Sequence, residues 1–559
     1  MLAFIGLSAN AQNWQWAKNT GSGNSNPQAN SIATDINGRV YITGAFTKDT
    51  LIFGTDSLIN VQKYNAFLTK YDGAGNVLWT RGSKGNSKVY GTAVTTDNAG
   101  YVYITGYFNS LTDTAVIFGG DTLANMDGNA GDGTSDIYVI KYDSTGTIQW
   151  AQRAGGIGND ISTGIATDNA GNVFVSGYMN GAIYTAGDSL NFGSSAIYYN
   201  GSGNMFLLKY TTAGVPVWAK SQAGAGTTEA NSVATDSIGN VYVTGFYTNT
   251  QISFATDTLP NPGANNFIFL TKFNSSGTAI WTTGTGSSSH SDEAYSVVTD
   301  HSSNVFISGY LKGTTAFGSN TLTVSSGQYM FIAKYDSSGI ALWAKAGGLG
   351  TYNTGYGMVT DSGNNVYVTG TYQGGISFDS ATSFPSGKGL FVVKYSPSGI
   401  VTWAKNAVPT SAAPIGYGIA RDSSNSLYIT GIISSNTAFG NINLTSIGSN
   451  DILIAKLSNS NTGIDEIQFS KNDILVYPNP NNGSFIISDI RYSNYDLRII
   501  DIYGRTVYST DVIGSNGIST ISVANLPEGL YFWQVIPAST QSRSSVGSDV
   551  SEGKIVILK

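Results

Sequence analysis

Residues able to do chemistry are few in this chain. The densest group is His290-Ser291-Asp292-Glu293, which puts one imidazole and two carboxylates in a single short segment. Such a group could ligate a cation or pass a proton. The chain holds one other histidine, His301, and no cysteine. Thiolate nucleophiles, thiolate zinc sites and disulfides are therefore excluded. No GxSxG, HExxH or phosphate-loop pattern occurs. Asp160, Glu229 and Tyr352 occupy related positions elsewhere in the chain, so Asp160, Glu229, His290, Asp292, Glu293 and Tyr352 form a candidate ligand rim. If two of the carboxylates came close in space, glycoside cleavage would be the chemistry open to them. A calcium loop is conceivable at 127–136, where Asp127, Asn129, Asp132 and Asp136 offer oxygens, but Gly131 stands at a ligand position of the EF-hand pattern. That stretch reads better as a solvated loop. No catalytic residue, metal or cofactor is assigned.

What must position these residues is a repeat. GRVYITG (38–44), GYVYITG (100–106), GNVFVSG (171–177) and GNVYVTG (239–245) are followed by SNVFISG (303–309), NNVYVTG (364–370) and NSLYITG (425–431). Each copy opens on an aspartate (Asp35, Asp97, Asp168, Asp236, Asp300, Asp361, Asp422), and a lysine closes a segment of variable length (Lys70, Lys141, Lys209, Lys272, Lys334, Lys394, Lys456). Tryptophan stands nine residues past the first six lysines, but Asp465 stands nine past Lys456. Four short runs per copy, rich in Val, Ile, Tyr, Phe and Thr and bounded by Asp/Asn…Gly turns, read as four antiparallel strands. This is a propeller blade, and the recurrence predicts seven of them. The strand around Trp16 is expected to complete the last blade and so remove an open sheet edge. Small residues recur four and six positions before each aspartate, as at Ser31 and Ala29, which suits an innermost strand. The aspartates and His301 read as turn residues and the tryptophans as packing between blades. The variable glycine-to-lysine segments read as loops on one rim, shared with the blade-to-blade loops. Five positions before each aspartate, Asn30, Thr92, Thr163 and Asn231 give way to Tyr295, Tyr356 and Tyr417. These tyrosines suit a ligand surface, but packing between blades is the better reading.

The order KYD, Gly, Trp, Asp, GNVYVTG resembles the bacterial SBBP beta-propeller repeat over roughly residues 13–458. KYD is intact at 70–72, 141–143 and 334–336 and drifts to KYT, KFN, KYS and KLS elsewhere. That family label implies a fold and no particular reaction.

Both ends of the chain differ from the repeats. MLAFIGLSANA (1–11) is an apolar run ending in a small-x-small site, which reads as a signal-peptide remnant without its basic segment. Residues 459–473 read as a linker and 474–559 as a small Ig-like sandwich. The latter resembles the type A sorting domain of type IX secretion cargo in Bacteroidota. The residues that carry the resemblance are Tyr477-Pro478-Asn479-Pro480, Gly483, Asp501, Gly504, Arg505, Leu526, Gly529, Tyr531 and the Lys554–Lys559 run; an insert at 537–553 departs from it. The resemblance implies export, recognition by the type IX machinery, and a secreted or outer-surface location.

Charged residues are 11% of the chain, the net charge is −7 and the pI about 4.9. This argues against nucleic acid or anionic lipid as a partner, and no apolar run is long enough to span a membrane. The expectation is an all-β protein, a seven-bladed propeller followed by a small sandwich. It would act as a monomeric, non-catalytic binding or scaffold module toward an unidentified glycan or protein. A carbohydrate-active enzyme is the alternative.

Overall fold

The computed structural model describes residues 12–458 and 475–557, apart from 22–25, 48, 61–63, 86, 110–114, 125–133, 157, 181–188, 199–202, 225–226, 249–250, 255–256, 262, 264, 288, 480, 489–493, 502, 514–517 and 538–550. The chain divides into two compact units, one over Gln12–Asn461 and one within Thr462–Lys559. Residues 1–11 and 459–473, read from sequence as signal-peptide remnant and linker, lie outside the described residues.

The larger unit is a β-propeller. Among the described residues, seven four-stranded antiparallel sheets follow one another. The first runs Gln28–Thr34, Val40–Phe46, Asn65–Tyr71, Val77–Lys84. In the last, Trp14–Thr20 from the chain's beginning pairs with Asp451–Leu457. The two middle strands of each blade are buried on both faces, so they read as unbroken apolar runs with threonine.

Three sets of contacts join neighbouring blades. The first circles the axis. Thr34 Oγ1 donates to the Arg421 carbonyl at 2.7 Å, Thr96 to Thr34 at 2.8 Å, Thr167 to Thr96 at 2.9 Å and Thr235 to Thr167 at 2.8 Å. Thr299 then donates to Thr235 at 2.7 Å, Thr360 to Thr299 at 2.8 Å, and Arg421 Nε to Thr360 at 2.9 Å, closing the circuit. Each bond satisfies a carbonyl left free where an innermost strand meets its turn.

The second set lies farther out. Lys70 Nζ and Trp79 Nε1 both donate to the Ser144 carbonyl in the next blade's turn, at 2.8 and 3.2 Å. The same clamp recurs from Lys272 and Trp281 onto Ser337 and from Lys456 and Trp16 onto Gly73. The tryptophans are thus packing residues between blades. Lys394 has no such turn ahead of it, because the last blade joins the two ends of its sheet without one. It pairs instead with Asp361 at 3.5 Å.

The third set corrects the expectation that the variable segments are rim loops. Each glycine-to-lysine segment carries a small hairpin, such as Ala115–Phe118 with Asp121–Ala124 or Ser189–Phe192 with Ser195–Tyr198. In the second to seventh blades this hairpin reaches back to the preceding blade's outer strand. Phe118 pairs with Ser83, Asn191 with Gly155, Ser253 with Ala223 and Ala438 with Val408. Thr285 donates to the Ala316 carbonyl, and Gly348 N–H to Ser377. Edges that would otherwise template aggregation are covered. The hairpin turns need the left-handed region, and Gly119 and Gly193 supply it at φ 59° each.

Among its described residues, the smaller unit holds two sheets. One pairs Leu475–Tyr477, Ser484–Ser488 and Ile518–Ser522. The other pairs Thr506–Ile513, Asn494–Asp501, Gly529–Pro537 and Ser551–Ile557. Phe485, Ile487, Leu497, Ile499, Trp533 and Ile555 fill the core.

Candidate functional site

The innermost strands surround a channel of about 560 Å³. Every one of them carries a β-bulge near its start, and the bulged residues are Asn30, Thr92, Thr163, Asn231, Tyr295, Tyr356 and Tyr417. A bulge re-aims a side chain, and all seven line the channel. The bulge is tight because the facing strand carries glycine. A Cβ on Gly44 would collide with the Gln28 carbonyl, and one on Gly245 with that of Glu229.

The channel mouth has two chemically different parts. On one side Asn30 Nδ2 donates to the Gly91 carbonyl at 2.7 Å and Asn231 Nδ2 to Ala294 at 2.8 Å, so polar side chains are consumed in joining blades. On the other, tyrosine rings pack against one another across three blades, tilted by 32° between Tyr295 and Tyr356 and edge-on between Tyr356 and Tyr417. The Tyr295 and Tyr356 rings lie 5.2 Å apart, and Tyr356 and Tyr417 5.3 Å. Tyr352, 42% exposed, bonds hydroxyl to hydroxyl with Tyr356 at 3.2 Å. These rings therefore both pack between blades and line the channel. A second stack, Tyr64 on Tyr90 on Tyr107 with 4.7 Å between successive rings, was not singled out from sequence.

Glu229 and Glu293 sit between these groups. Glu293 accepts from Asn266 Nδ2 at 2.6 Å and from the Tyr295 hydroxyl at 2.8 Å. Tyr310 faces it across the strand pair. Burial, then the charge of Glu293, pushes the Tyr295 and Tyr310 hydroxyls above the ordinary range. Glu229 is pushed up to about 7 by burial and then by Glu293. Tyr178 is pushed up to about 12 by burial, then by Glu229. Two carboxylates and several tyrosines thus share one poorly solvated patch.

Three other members of the candidate rim do not present themselves in this way. Asp292 is fully buried and accepts from Ser287 N–H at 2.9 Å, Lys312 N–H at 2.9 Å and Thr315 Oγ1 at 2.6 Å, so it ties its loop to the next hairpin. Asp160 is also fully buried. His290 is exposed and meets Ser289 Oγ through Nδ1 at 2.9 Å. Of the calcium candidates, Asp136 is buried in strand Ser135–Tyr142, and Asp127, Asn129 and Asp132 lie outside the described residues.

The repeat aspartates are turn residues. Asp35 Oδ1 accepts from Asn37 and Arg39 N–H at 2.9 Å each, and Oδ2 from the Tyr41 hydroxyl at 2.9 Å. In the smaller unit Asp501 builds the same turn, accepting from Tyr503 and Arg505 N–H, with Gly504 at φ 80°. Asn479 Oδ1 accepts from Val556 N–H at 2.8 Å, the Gly483 carbonyl from Val523 N–H at 2.7 Å, and Pro527 from the Tyr531 hydroxyl at 2.9 Å. Tyr477, joined to Pro478, stays 45% exposed, Gly529 opens its strand, and Pro480 lies outside the described residues.

Comparison with known proteins agrees with this architecture. A family model described as a beta-propeller repeat matches residues 149–185, and one described as a secretion system C-terminal sorting domain matches 475–546. The chain is 26% identical over 415 residues to a WD repeat-containing protein of Acanthamoeba polyphaga mimivirus, covering 61% of this chain and 29% of that one. It is 29% identical over 110 residues to the regulatory protein FlaEY of Caulobacter vibrioides, covering 20% and 11%. The chain thus spans under a third of the length of these relatives. Among solved structures, the extracellular domain of a one-component system from B. thetaiotaomicron aligns at 10% identity and TM-score 0.18, over 98% of this chain and 99% of that one. A gluconolactonase of Xanthomonas campestris aligns at 11% and 0.27, over 79% and 99%. No described helix is long and apolar enough to cross a membrane. The chain carries a beta-propeller repeat and a type IX secretion sorting domain, and the sorting domain marks the protein for the cell surface or the extracellular space.

Proposed function

We propose that the propeller is a non-catalytic binding module, acting as a monomer outside the cell, with the tyrosine-lined mouth as its ligand face. The observation that carries this is the contrast around the channel. Recurrent polar residues are spent on turns and on bonds between blades. Tyr295, Tyr352, Tyr356, Tyr417, Glu229 and Glu293 break the repeat and cluster at one opening. A rigid scaffold with variation confined to one face is how recognition surfaces are built.

One observation favours a second reading. Glu229 is pushed up to about 7 beside a second carboxylate, and a carboxylic acid held protonated near another acid is the kind of group that serves glycosidases as general acid. Screening the full chain against glycan and peptide arrays, alongside Tyr356→Ala and Glu293→Gln, separates the two. Binding lost in either variant, with no product formed, supports the module. Turnover abolished by Glu229→Gln would make it an enzyme.

A further inference from the structure

We propose that the axial channel takes a small oxyanion, a carboxylate or a phosphate group, at Arg421, at the end of the innermost strands opposite the tyrosines. Six of those strands reach their repeat aspartate through a threonine, and the seventh does so through Arg421. Of the described residues that line the channel, Arg421 alone carries a charge. Tyr417 lies four residues back on the same strand, about 13 Å away at the rise of an extended chain. The site is therefore separate from the tyrosine-lined mouth and does not depend on it.

The contact between blades does not account for a guanidinium. Arg421 Nε donates to the Thr360 carbonyl at 2.9 Å, and a threonine hydroxyl makes the matching bond at every other junction of the circuit. What arginine adds is held in place by its own turn. Nη1 donates to Asn425 Oδ1 and to the Asp422 carbonyl, while Nη2 has no partner among the described residues. No described carboxylate forms an ion pair with Arg421. Asp422, next to it in sequence, is turned to Ser426 N–H at 2.9 Å and to the Tyr428 hydroxyl at 3.0 Å. Asp300 and Asp361 hold their own lysines, Lys334 and Lys394, at 3.4 and 3.5 Å.

Arginine keeps its charge at every working pH. Here a partly buried, anchored guanidinium lines a cavity of about 560 Å³ and offers two N–H groups without a counter-charge. A walled site of one sign concentrates ligands of the other. An oxyanion would complete the guanidinium's hydrogen bonds with charge assistance, which a neutral hydroxyl cannot match. The cavity has the volume of a small-molecule site, so a sugar acid or a sugar phosphate is of suitable size.

The test is calorimetric titration of the full chain with glucuronate, glucose 6-phosphate and glucose, which share a ring and differ in the anionic group. At least one of the two anions is expected to bind at least about tenfold more tightly than glucose. That preference should shrink as salt rises from about 0.05 to about 0.5 M. Preference for glucuronate alone assigns a carboxylate, and for glucose 6-phosphate alone a phosphate. Arg421→Thr installs the residue of the other six blades, so it should keep the circular dichroism spectrum and lose the preference. Arg421→Gln, which keeps length and removes charge, is read the same way should the threonine variant not fold. Tyr356→Ala, at the other end of the channel, should retain the preference. Equal affinity for glucose and both anions, or no binding of either anion, overturns the proposal. So does a preference that survives in the folded Arg421 variant, or one lost in Tyr356→Ala alone, which would place the anion at the mouth.

Discussion

Glu229→Gln should stabilise the propeller at neutral and alkaline pH and leave it unchanged in acid. Burial and the neighbouring Glu293 raise the Glu229 carboxyl from its ordinary 4.5 to about 7. The folded state therefore holds this proton more tightly than the unfolded chain does. The stability this provides is complete below the unfolded value near 4.5 and is lost as pH rises through about 7. Full burial would make the loss about 3.4 kcal/mol. Glu229 keeps part of its surface in water, which screens the interaction, so about 1–2 kcal/mol is the expected size. Glutamine resembles the protonated acid and carries no penalty at any pH. Urea unfolding of wild type and variant should coincide near pH 4.5 and diverge above about pH 7, with the variant's midpoint higher by an amount equivalent to about 1–2 kcal/mol. Parallel pH profiles for the two proteins would refute the placement of Glu229 in a poorly solvated patch beside another carboxylate.

Further outcomes follow from the same contacts. Removing residues 14–20 deprives the last blade of its outer strand, so thermal unfolding should shift sharply downward and the protein should aggregate on size exclusion. Thr167→Val keeps the shape but deletes one bond of the axial circuit; denaturant titration should show a loss of about 1 kcal/mol. Asp292→Ala leaves three donors unsatisfied in a buried loop and should cost about 2–3 kcal/mol in the same assay, far more than His290→Ala at the exposed position beside it. In a host with type IX secretion, truncation after Ser458 should leave the propeller in the periplasm, measured by fractionation; equal amounts outside the cell would contradict the role of the sorting domain.

The blade framework was legible because it repeats. Seven aspartates, seven lysines and their tryptophans announce turns and clamps, and Asp465 in a tryptophan's place pointed to the strand around Trp16, which lies beside Asp451–Leu457. The axial circuit was equally available in the residue before each aspartate: threonine six times and Arg421 once. It was missed because threonine is common in strands. The hairpins were hidden by unequal segment lengths, although FGTD, FGGD and FGSN mark their turns. The site was less legible for a different reason. Glu229 and Glu293 are neighbours only because adjacent blades bring equivalent positions together. Whether an acid faces water, as expected for Asp292, or turns inward depends on hydrogen-bond donors supplied by a hairpin not seen in advance. Tyr90 and Tyr107 went unnoticed because their repeat positions, those of Glu293 and Tyr310 in the fifth blade, change residue from blade to blade, and Tyr64 lies in a segment of variable length.

The most direct test of a binding rather than catalytic propeller is one array experiment read twice. Purified full chain is applied to immobilised glycans and short peptides, first for retention and then for release of cleaved product. The account predicts saturable retention on a narrow set of ligands, lost in Tyr356→Ala and Glu293→Gln, with no product at any spot. Product released from the same spots, abolished by Glu229→Gln, would contradict it.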